Sequence, residues 1–92
     1  MRTIGHWIGG KELPGSSGRS GPVFDPATGR QHAEVAYAGE DEAHQAVAAA
    51  AGAFRAWSQA SLSARSKVLF AFRELVNTHA RELAELTADE HG

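Results

Sequence analysis

The distribution of helix-breaking residues divides this 92-residue chain into two parts. All three prolines and most of the ten glycines lie within residues 1–39, whereas residues 40–91 contain no proline and a single glycine, Gly52. Proline and glycine are common in turns and rare inside helices. The pattern therefore predicts a strand-and-turn segment over residues 1–39 and a helical segment over residues 40–92.

The first segment contains short stretches that are typical of strands. They are His6–Ile8 with a return strand Lys11–Leu13, the extended pair Val23-Phe24, and the weakly alternating stretch His32–Ala38. Gly9-Gly10 suits a tight turn because glycine accepts a positive φ. Asp25–Gly29 contains a proline and a glycine at positions that favour chain reversal. These strands are too short to form a closed core on their own.

The second segment is predicted to form two or three amphipathic helices. Apolar side chains recur at helical spacing on one face of the first helix. They are Ala43, Val47, Ala50, Phe54 and Trp57. The pattern breaks at Ser58–Ala60, and Ser61 is a suitable N-cap for the next helix. A second apolar stripe follows, made of Leu62, Val68, Leu69, Phe72, Leu75 and Val76.

A single helix from Leu62 to the end would be about 43 Å long, which is unusual for a globular protein. We therefore predict two helices, near residues 62–77 and 79–90, the second one packing through Leu83 and Leu86. Asn77 or Thr78 could cap the second helix, and Gly92 suits a left-handed C-terminal position.

Charge and composition exclude several classes of function. The formal net charge is -2, so no single-sign field favours nucleic acid or a membrane surface as a partner. No apolar run of about 18 residues could span a bilayer, and the first residues do not resemble a secretory signal. The absence of cysteine excludes a disulfide scaffold and a cysteine nucleophile within these residues. We expect a cytoplasmic location.

The residues alone predict no catalytic, cofactor-binding or metal-binding site. The five histidines share no ligand-like spacing; they are His6, His32, His44, His79 and His91. Glu40–Glu42 is interpreted as the solvated first turn of a helix. Gly15–Gly21 matches neither phosphate-binding glycine motif and does not lead from a strand into a helix. Ser61 and Ser63 are interpreted as capping residues, because no histidine lies within helical reach.

Several segments together resemble the amino-terminal end of the aldehyde dehydrogenase superfamily. They are His6–Lys11, Val23–Gly29, Ala46-Val47 followed by Ala53–Trp57, and Glu90–Gly92. The opening HWIGGK, the stretch Leu69–Leu75 and the final EHG are most similar to the branch of CoA-acylating methylmalonate-semialdehyde dehydrogenases. The resemblance spans His6 to Gly92.

The resemblance implies an α/β fold in which residues 1–39 and 40–92 together form part of one incomplete NAD-binding domain. Full members of the family use NAD, and the acylating branch passes the acyl group to coenzyme A. Their catalytic cysteine, asparagine and glutamate, and their dinucleotide-binding residues, lie beyond the matched region. We therefore expect this chain to bind neither cofactor alone and to be inactive alone.

The two apolar helix stripes need a surface to pack against, and the short strands cannot cover both. We expect a contiguous exposed patch made of Val47, Phe54, Trp57, Leu69, Phe72 and Val76. The aromatic residues are interpreted as core or interface anchors. The expected partner is the remainder of a dehydrogenase chain or a second copy of this one. The alternative is a non-catalytic helical module that self-associates or pairs with a dehydrogenase chain.

Overall fold

A computed structural model describes all of residues 1–92 and contains five strands followed by three helices. The strands are β1 (Arg2–Ile4), β2 (His6–Ile8), β3 (Lys11–Leu13), β4 (Ser20–Phe24) and β5 (Gln31–Ala36). The helices are α1 (Glu40–Gln59), α2 (Leu62–Thr78) and α3 (Ala80–His91). The strands therefore lie before residue 40 and the helices after it, as the distribution of proline and glycine predicts.

Three of the strands form one sheet in the order β1-β5-β4, with β1 parallel and β4 antiparallel to β5. Ala33, at the centre of β5, is fully buried, and Gly21 on β4 is the only other buried residue. The sequence does not predict β1, because Arg2–Ile4 shows no alternation. Its only pairing partner is β5, which is distant in sequence. β4 also begins earlier than predicted, at Ser20.

The other two strands form a separate hairpin that agrees with the prediction. β2 pairs antiparallel with β3, and His6 lies opposite Leu13. Gly9 and Gly10 connect the strands with φ values of 62° and 79°. Two successive positive φ values are typical of the tight turn that matches the twist of a hairpin. The glycine pair thus sets the register of this hairpin.

The predicted reversal at Asp25–Gly29 is also present. The Asp25 carboxylate accepts a hydrogen bond from the Ala27 N–H at 2.9 Å, and the Asp25 carbonyl accepts one from the Gly29 N–H at 2.7 Å. Gly29 has a φ of 73°, a conformation that costs glycine little. An aspartate side chain that bonds the backbone two residues on stabilises such turns. This turn delivers the chain from β4 to β5.

The boundary between α1 and α2 follows the prediction closely, although α1 is longer than predicted. α1 continues through Ser58 to Gln59 and ends at Ala60, whose N–H donates to the Trp57 carbonyl at 3.1 Å. Ser61 caps α2 as predicted, since its hydroxyl accepts from the Ala64 N–H at 3.0 Å. Such a cap satisfies one of the unpaired donors at a helix start.

The predicted cap of α3 is wrong. Asn77 and Thr78 both belong to α2, and the Thr78 hydroxyl donates back to the Glu74 carbonyl at 2.9 Å. His79 stands at the start of α3 and makes no capping hydrogen bond through its side chain. Gly92 ends α3 with a φ of 81°, as predicted for a left-handed terminal position.

The elements form a thin layer rather than a closed core. The principal extents are 47 × 35 × 15 Å, and the radius of gyration is 16.8 Å, whereas a compact domain of this length has about 12 Å. The accessible surface is 7430 Å², against about 5,100 Å² for a folded monomer of this mass. The chain therefore exposes about 2,300 Å² more than a self-contained domain would. No helix has the length and hydropathy that crossing a bilayer requires.

Candidate functional site

Glu42 joins three parts of the molecule. One carboxylate oxygen, Oε1, accepts hydrogen bonds from the Gly39 N–H at 3.2 Å and from the Ser16 N–H at 3.4 Å. The other oxygen, Oε2, lies 2.8 Å from Nε2 of His6 on strand β2. The side chains of His6 and Glu42 are only 15% and 11% exposed. Helix α1, the loop before β4 and the β2–β3 hairpin therefore meet at one carboxylate.

These contacts hold the pKa of the Glu42 carboxyl below its ordinary value. The hydrogen bond from Gly39 is the main cause, the bonds from Ser16 and the charge of His6 act in the same direction, and burial opposes them. Gly39 precedes α1, so Glu42 is the third helical residue and its bond is half of a capping box. The carboxylate is therefore stabilised in its ionised form.

The interpretation of Glu40–Glu42 as a solvated turn needs correction. Glu40 and Asp41 are exposed, but Glu42 is not. The spacing of Glu42 from the helix start could have indicated the backbone bond, because glutamate three residues after an N-cap is a capping signal. Nothing in the sequence indicates the contact with His6, which depends on how the hairpin folds against α1.

The glycine-rich loop before β4 is bonded to the residues between β5 and α1. The Ser17 hydroxyl donates to the Tyr37 carbonyl at 2.6 Å, and the Arg19 guanidinium donates to the Ala38 carbonyl at 3.1 Å. The loop leads into β4 and not into a helix. The Gly39 N–H at the start of α1 is already bonded to Glu42. These residues do not fit a dinucleotide phosphate, which binds to free N–H groups at a helix start.

No group of three or more His, Cys, Asp or Glu side chains could hold a metal ion. His79 lies 3.1 Å from Glu82 on α3, but both side chains are exposed and belong to one helical turn. Pairs of this kind stabilise a helix only slightly.

The second candidate site is the apolar face of the helices. Five of the six side chains predicted to form it are exposed, and Val76 is half-buried. The exposed five are Val47, Phe54, Trp57, Leu69 and Phe72. Their exposure confirms the expectation of uncovered stripes; the continuity of the patch across α1 and α2 stays a prediction. The aromatic anchors are also exposed, so they form no core within this chain; they are Trp7, Phe24, Phe54, Trp57, Phe70 and Phe72.

The bend between α2 and α3 adds a concave apolar seat to this face. A depression of about 340 Å³ is lined by Phe72, Leu75, Val76 and Leu83, with His79 and Glu82 at its rim. Phe72 is 62% exposed even though it lines the depression. Leu83, the predicted packing residue of α3, contributes to this open seat while remaining partly exposed. We name these six residues the α2–α3 seat.

Comparison with known proteins defines the class of this chain. The model of the aldehyde dehydrogenase family matches residues 13–92. The chain belongs to the aldehyde dehydrogenase family. Within the family it is similar to malonate-semialdehyde dehydrogenase 2 of Geobacillus thermodenitrificans, with 37% identity over 91 residues. That alignment covers 99% of this chain and 19% of the relative.

Solved structures give the same result. A methylmalonate-semialdehyde dehydrogenase of Oceanimonas doudoroffii matches with a TM-score of 0.93 and 39% identity. A protein of Sinorhizobium meliloti described as a methylmalonate-semialdehyde dehydrogenase, complexed with NAD, matches with a TM-score of 0.94 and 38% identity. Each match covers 100% of this chain and 19% of the solved chain. These matches confirm the resemblance drawn from the sequence and the α/β family fold.

The chain therefore spans about a fifth of the length of the relatives that it matches. Over that fifth it has the same arrangement of strands and helices as the amino-terminal part of solved aldehyde dehydrogenases.

Proposed function

We propose that this chain is the amino-terminal part of an NAD-dependent, CoA-acylating (methyl)malonate-semialdehyde dehydrogenase. In that enzyme its role is structural: it forms the first layer of the dinucleotide-binding domain and is inactive without the rest. The main support for this proposal is that the whole chain matches a solved dehydrogenase with a TM-score of 0.94 and covers only 19% of it. The proposal includes a cytoplasmic location, which rests on the family alone.

The large accessible surface of this chain supports a partner that covers it over a wide area. The excess of about 2,300 Å² over a self-contained domain is more than one side of a standard protein–protein interface, which is about 800 Å². It lies in the range of permanent interfaces, which resemble a domain core cut in half. We infer that the remainder of the dehydrogenase chain covers the apolar face of α1 and α2 and the α2–α3 seat.

The chemistry of the proposed enzyme must come from that remainder. NAD would accept a hydride and coenzyme A would accept the acyl group, and we expect the residues that bind both cofactors to belong to the rest of the enzyme. The chain has no cysteine to form a thiohemiacetal, and Glu42 is committed to Gly39, Ser16 and His6. The bound NAD of the Sinorhizobium meliloti protein supports the choice of dinucleotide.

A chimeric enzyme tests this proposal. Residues 1–92 would replace the corresponding first fifth of the Geobacillus thermodenitrificans dehydrogenase, and NADH formation would be followed with malonate semialdehyde and coenzyme A. We expect an active chimera and no NADH or acyl-CoA from the 92-residue chain alone. Activity of the isolated chain, or a chimera that folds and is inactive, would contradict the proposal.

Matched variants locate the docking face within the chimera. Phe72→Gln places a polar side chain in the α2–α3 seat, and Glu74→Gln introduces the same amide on the exposed polar side of α2. We expect Phe72→Gln to lower the yield of assembled, active chimera at least tenfold, because a buried amide without a partner costs about 1–3 kcal/mol in addition to the lost apolar contact. Glu74→Gln should leave the yield unchanged. Equal effects of the two variants would place the interface elsewhere. A discrete dimer of the isolated chain, seen by sedimentation, would instead favour the self-associating module.

A further inference from the structure

The three-stranded sheet has two edge strands, and one of them is blocked at its centre. Strand β4 forms one edge and β1 the other, with β5 between them. The Tyr37 N–H donates to the Arg19 carbonyl at 2.9 Å, which makes these two residues a hydrogen-bonded pair of the antiparallel ladder. Bonded and non-bonded pairs alternate along such a ladder, so the backbone of Pro22 is directed away from β5. Proline has no N–H, and a further strand beside β4 would therefore find no donor at its centre.

The backbone of Thr3 is directed toward the other edge, that of β1. Glu34 lies opposite Pro22 in a non-bonded pair, so the peptide groups of Glu34 are turned toward β1. In a parallel pair, a residue bonds to the two neighbours of its register partner. The register partner of Glu34 is Thr3, so Glu34 bonds to Arg2 and Ile4. The N–H and C=O of Thr3 therefore point away from the sheet, and β1 pairs with no second strand that could bond to them.

An open depression lies beside this edge. It has a volume of about 310 Å³ and lies between β1, Glu12 on strand β3, and Leu86 and Glu90 on α3. Thr3, Glu12 and Glu90 are exposed, and Leu86 is 40% exposed. The free edge of β1 thus faces open space and not another element of this chain.

The depression beside β1 and the α2–α3 seat share one face of α3. Leu86 lines the depression, and Leu83 lines the seat. Side chains at this spacing are neighbours on a helix surface. A partner that fills the seat can therefore continue along α3 to the edge of β1. Native proteins cover or blunt such edges, because unpaired N–H and C=O groups invite pairing with other chains.

We propose that a strand from the remainder of the dehydrogenase adds to the sheet beside β1 and bonds to the N–H and C=O of Thr3. In this mode of recognition, main-chain hydrogen bonds supply affinity and adjacent pockets select side chains. The depression has an apolar wall at Leu86 and carries two carboxylates, Glu12 and Glu90, against the single guanidinium of Arg2. It therefore fits a strand with an apolar and a basic side chain.

This inference rests on the proposed function. The chain covers 19% of the solved dehydrogenase that it matches, and the added strand is expected in the other part of the enzyme. That part is also the proposed occupant of the α2–α3 seat, which borders the depression along α3.

Amide hydrogen exchange at single residues tests the inference. It would be measured by mass spectrometry with peptide fragmentation, on the 92-residue chain and on the chimera with the Geobacillus thermodenitrificans dehydrogenase. In the isolated chain, the Thr3 amide should exchange at about its intrinsic rate, whereas the Ile4 amide, which is bonded to Glu34, should exchange more slowly. In the chimera, we expect the exchange of the Thr3 amide to slow by about tenfold or more.

The outcomes separate this inference from the proposed function. Fast exchange of the Thr3 amide in an active chimera would overturn the inference and leave the proposed function intact. A chimera that folds and is inactive would contradict the proposed function, and slow exchange of Thr3 in it would still support the added strand. Protection of Thr3 in the isolated chain that grows with protein concentration would identify a second copy as the occupant and would overturn the inference.

Two variants at Thr3 separate its backbone from its side chain. Thr3→Pro removes the outward N–H, and Thr3→Val keeps the N–H and removes only the hydroxyl. Proline is tolerated on an edge strand when its nitrogen faces outward, so neither variant should shift the urea midpoint of the isolated chain. We expect Thr3→Pro to lower the yield of assembled chimera about fivefold, because a carbonyl of the added strand loses its donor. Thr3→Val should leave the yield unchanged. Equal yields of the two variants would overturn the inference, as would unfolding of the isolated chain by Thr3→Pro, since the Thr3 N–H would then be used within the sheet.

Discussion

The strands β1–β5 with their loops (the strand layer) and the helices α1–α3 (the helical layer) differ in how closely their parts approach one another. In the strand layer, a Cβ added to Gly5 would collide with the Leu13 carbonyl oxygen, and one added to Gly21 would collide with the Tyr37 hydroxyl. In the helical layer, a Cβ added to Gly52 would meet no other atom within 4 Å. The strand layer is therefore closely packed at these glycines, whereas α1 has no packing neighbour at Gly52.

The difference extends to what stabilises each layer. β1, β4 and β5 are joined by long-range backbone pairing, and the loop bonds of Ser17 and Arg19 tie them to the segment before α1. The helices rely on their own backbone bonds, on caps such as Ser61, and on sparse contacts with β2 and with each other. Isolated helices shorter than about 12–15 residues are marginal in water, and α3 has only 12 residues. We therefore expect the stability of the helical layer to depend on local features such as the cap at Ser61. We expect its apolar face to affect assembly with the rest of the enzyme and not the stability of this chain alone.

The largest expected effect is that of Gly5→Ala. The obstacle is a backbone carbonyl between β3 and Pro14, which cannot move aside as a flexible side chain could. We expect the free energy of unfolding to fall by about 2 kcal/mol, measured by urea denaturation followed by circular dichroism. The protection of the hairpin amides should fall with it.

Gly52→Ala is the matched control for that prediction. The same added methyl group meets no obstacle on α1, and alanine is favoured over glycine inside a helix by about 0.5–1 kcal/mol. The control should therefore raise the stability. Equal destabilisation by both variants would show that the two layers do not differ as described.

A smaller effect is expected for Ser61→Ala, which removes the cap of α2. The Ala64 N–H would lose the hydroxyl that accepts its hydrogen bond at 3.0 Å, and losing such a cap costs about 1 kcal/mol. Helical circular dichroism during urea denaturation measures the change. Ser63→Ala, in the first turn of the same helix, should change the stability by no more than about 0.5 kcal/mol. If Ser63→Ala has the larger effect, Ser61 is not the cap that stabilises α2.

The contrast between the layers also explains which features could be predicted from the sequence. Helical periodicity, the serine cap at Ser61 and the turns at Gly9-Gly10 and Asp25–Gly29 are local signals, and all of them are present in the structure. The strand β1 and the contact of His6 with Glu42 join residues that are far apart in sequence. No local pattern encodes such pairings, because they depend on the packing of whole elements. The family was predictable because its motifs are also local.

The smallest expected effect on the chain itself, that of Phe72→Gln, gives the sharpest test of the comparison. Phe72 is 62% exposed in the α2–α3 seat, and glutamine suits a helix at least as well as phenylalanine. The free energy of unfolding of the isolated chain should therefore change by no more than about 0.5 kcal/mol, while the chimeric dehydrogenase should lose most of its assembly. A side chain that matters to assembly but not to the chain alone is one whose contacts lie in another part of the protein. If Phe72→Gln instead destabilises the isolated chain by about 2 kcal/mol or more, as burial of a large apolar side chain would require, the seat is closed within these 92 residues and the helical layer is already complete.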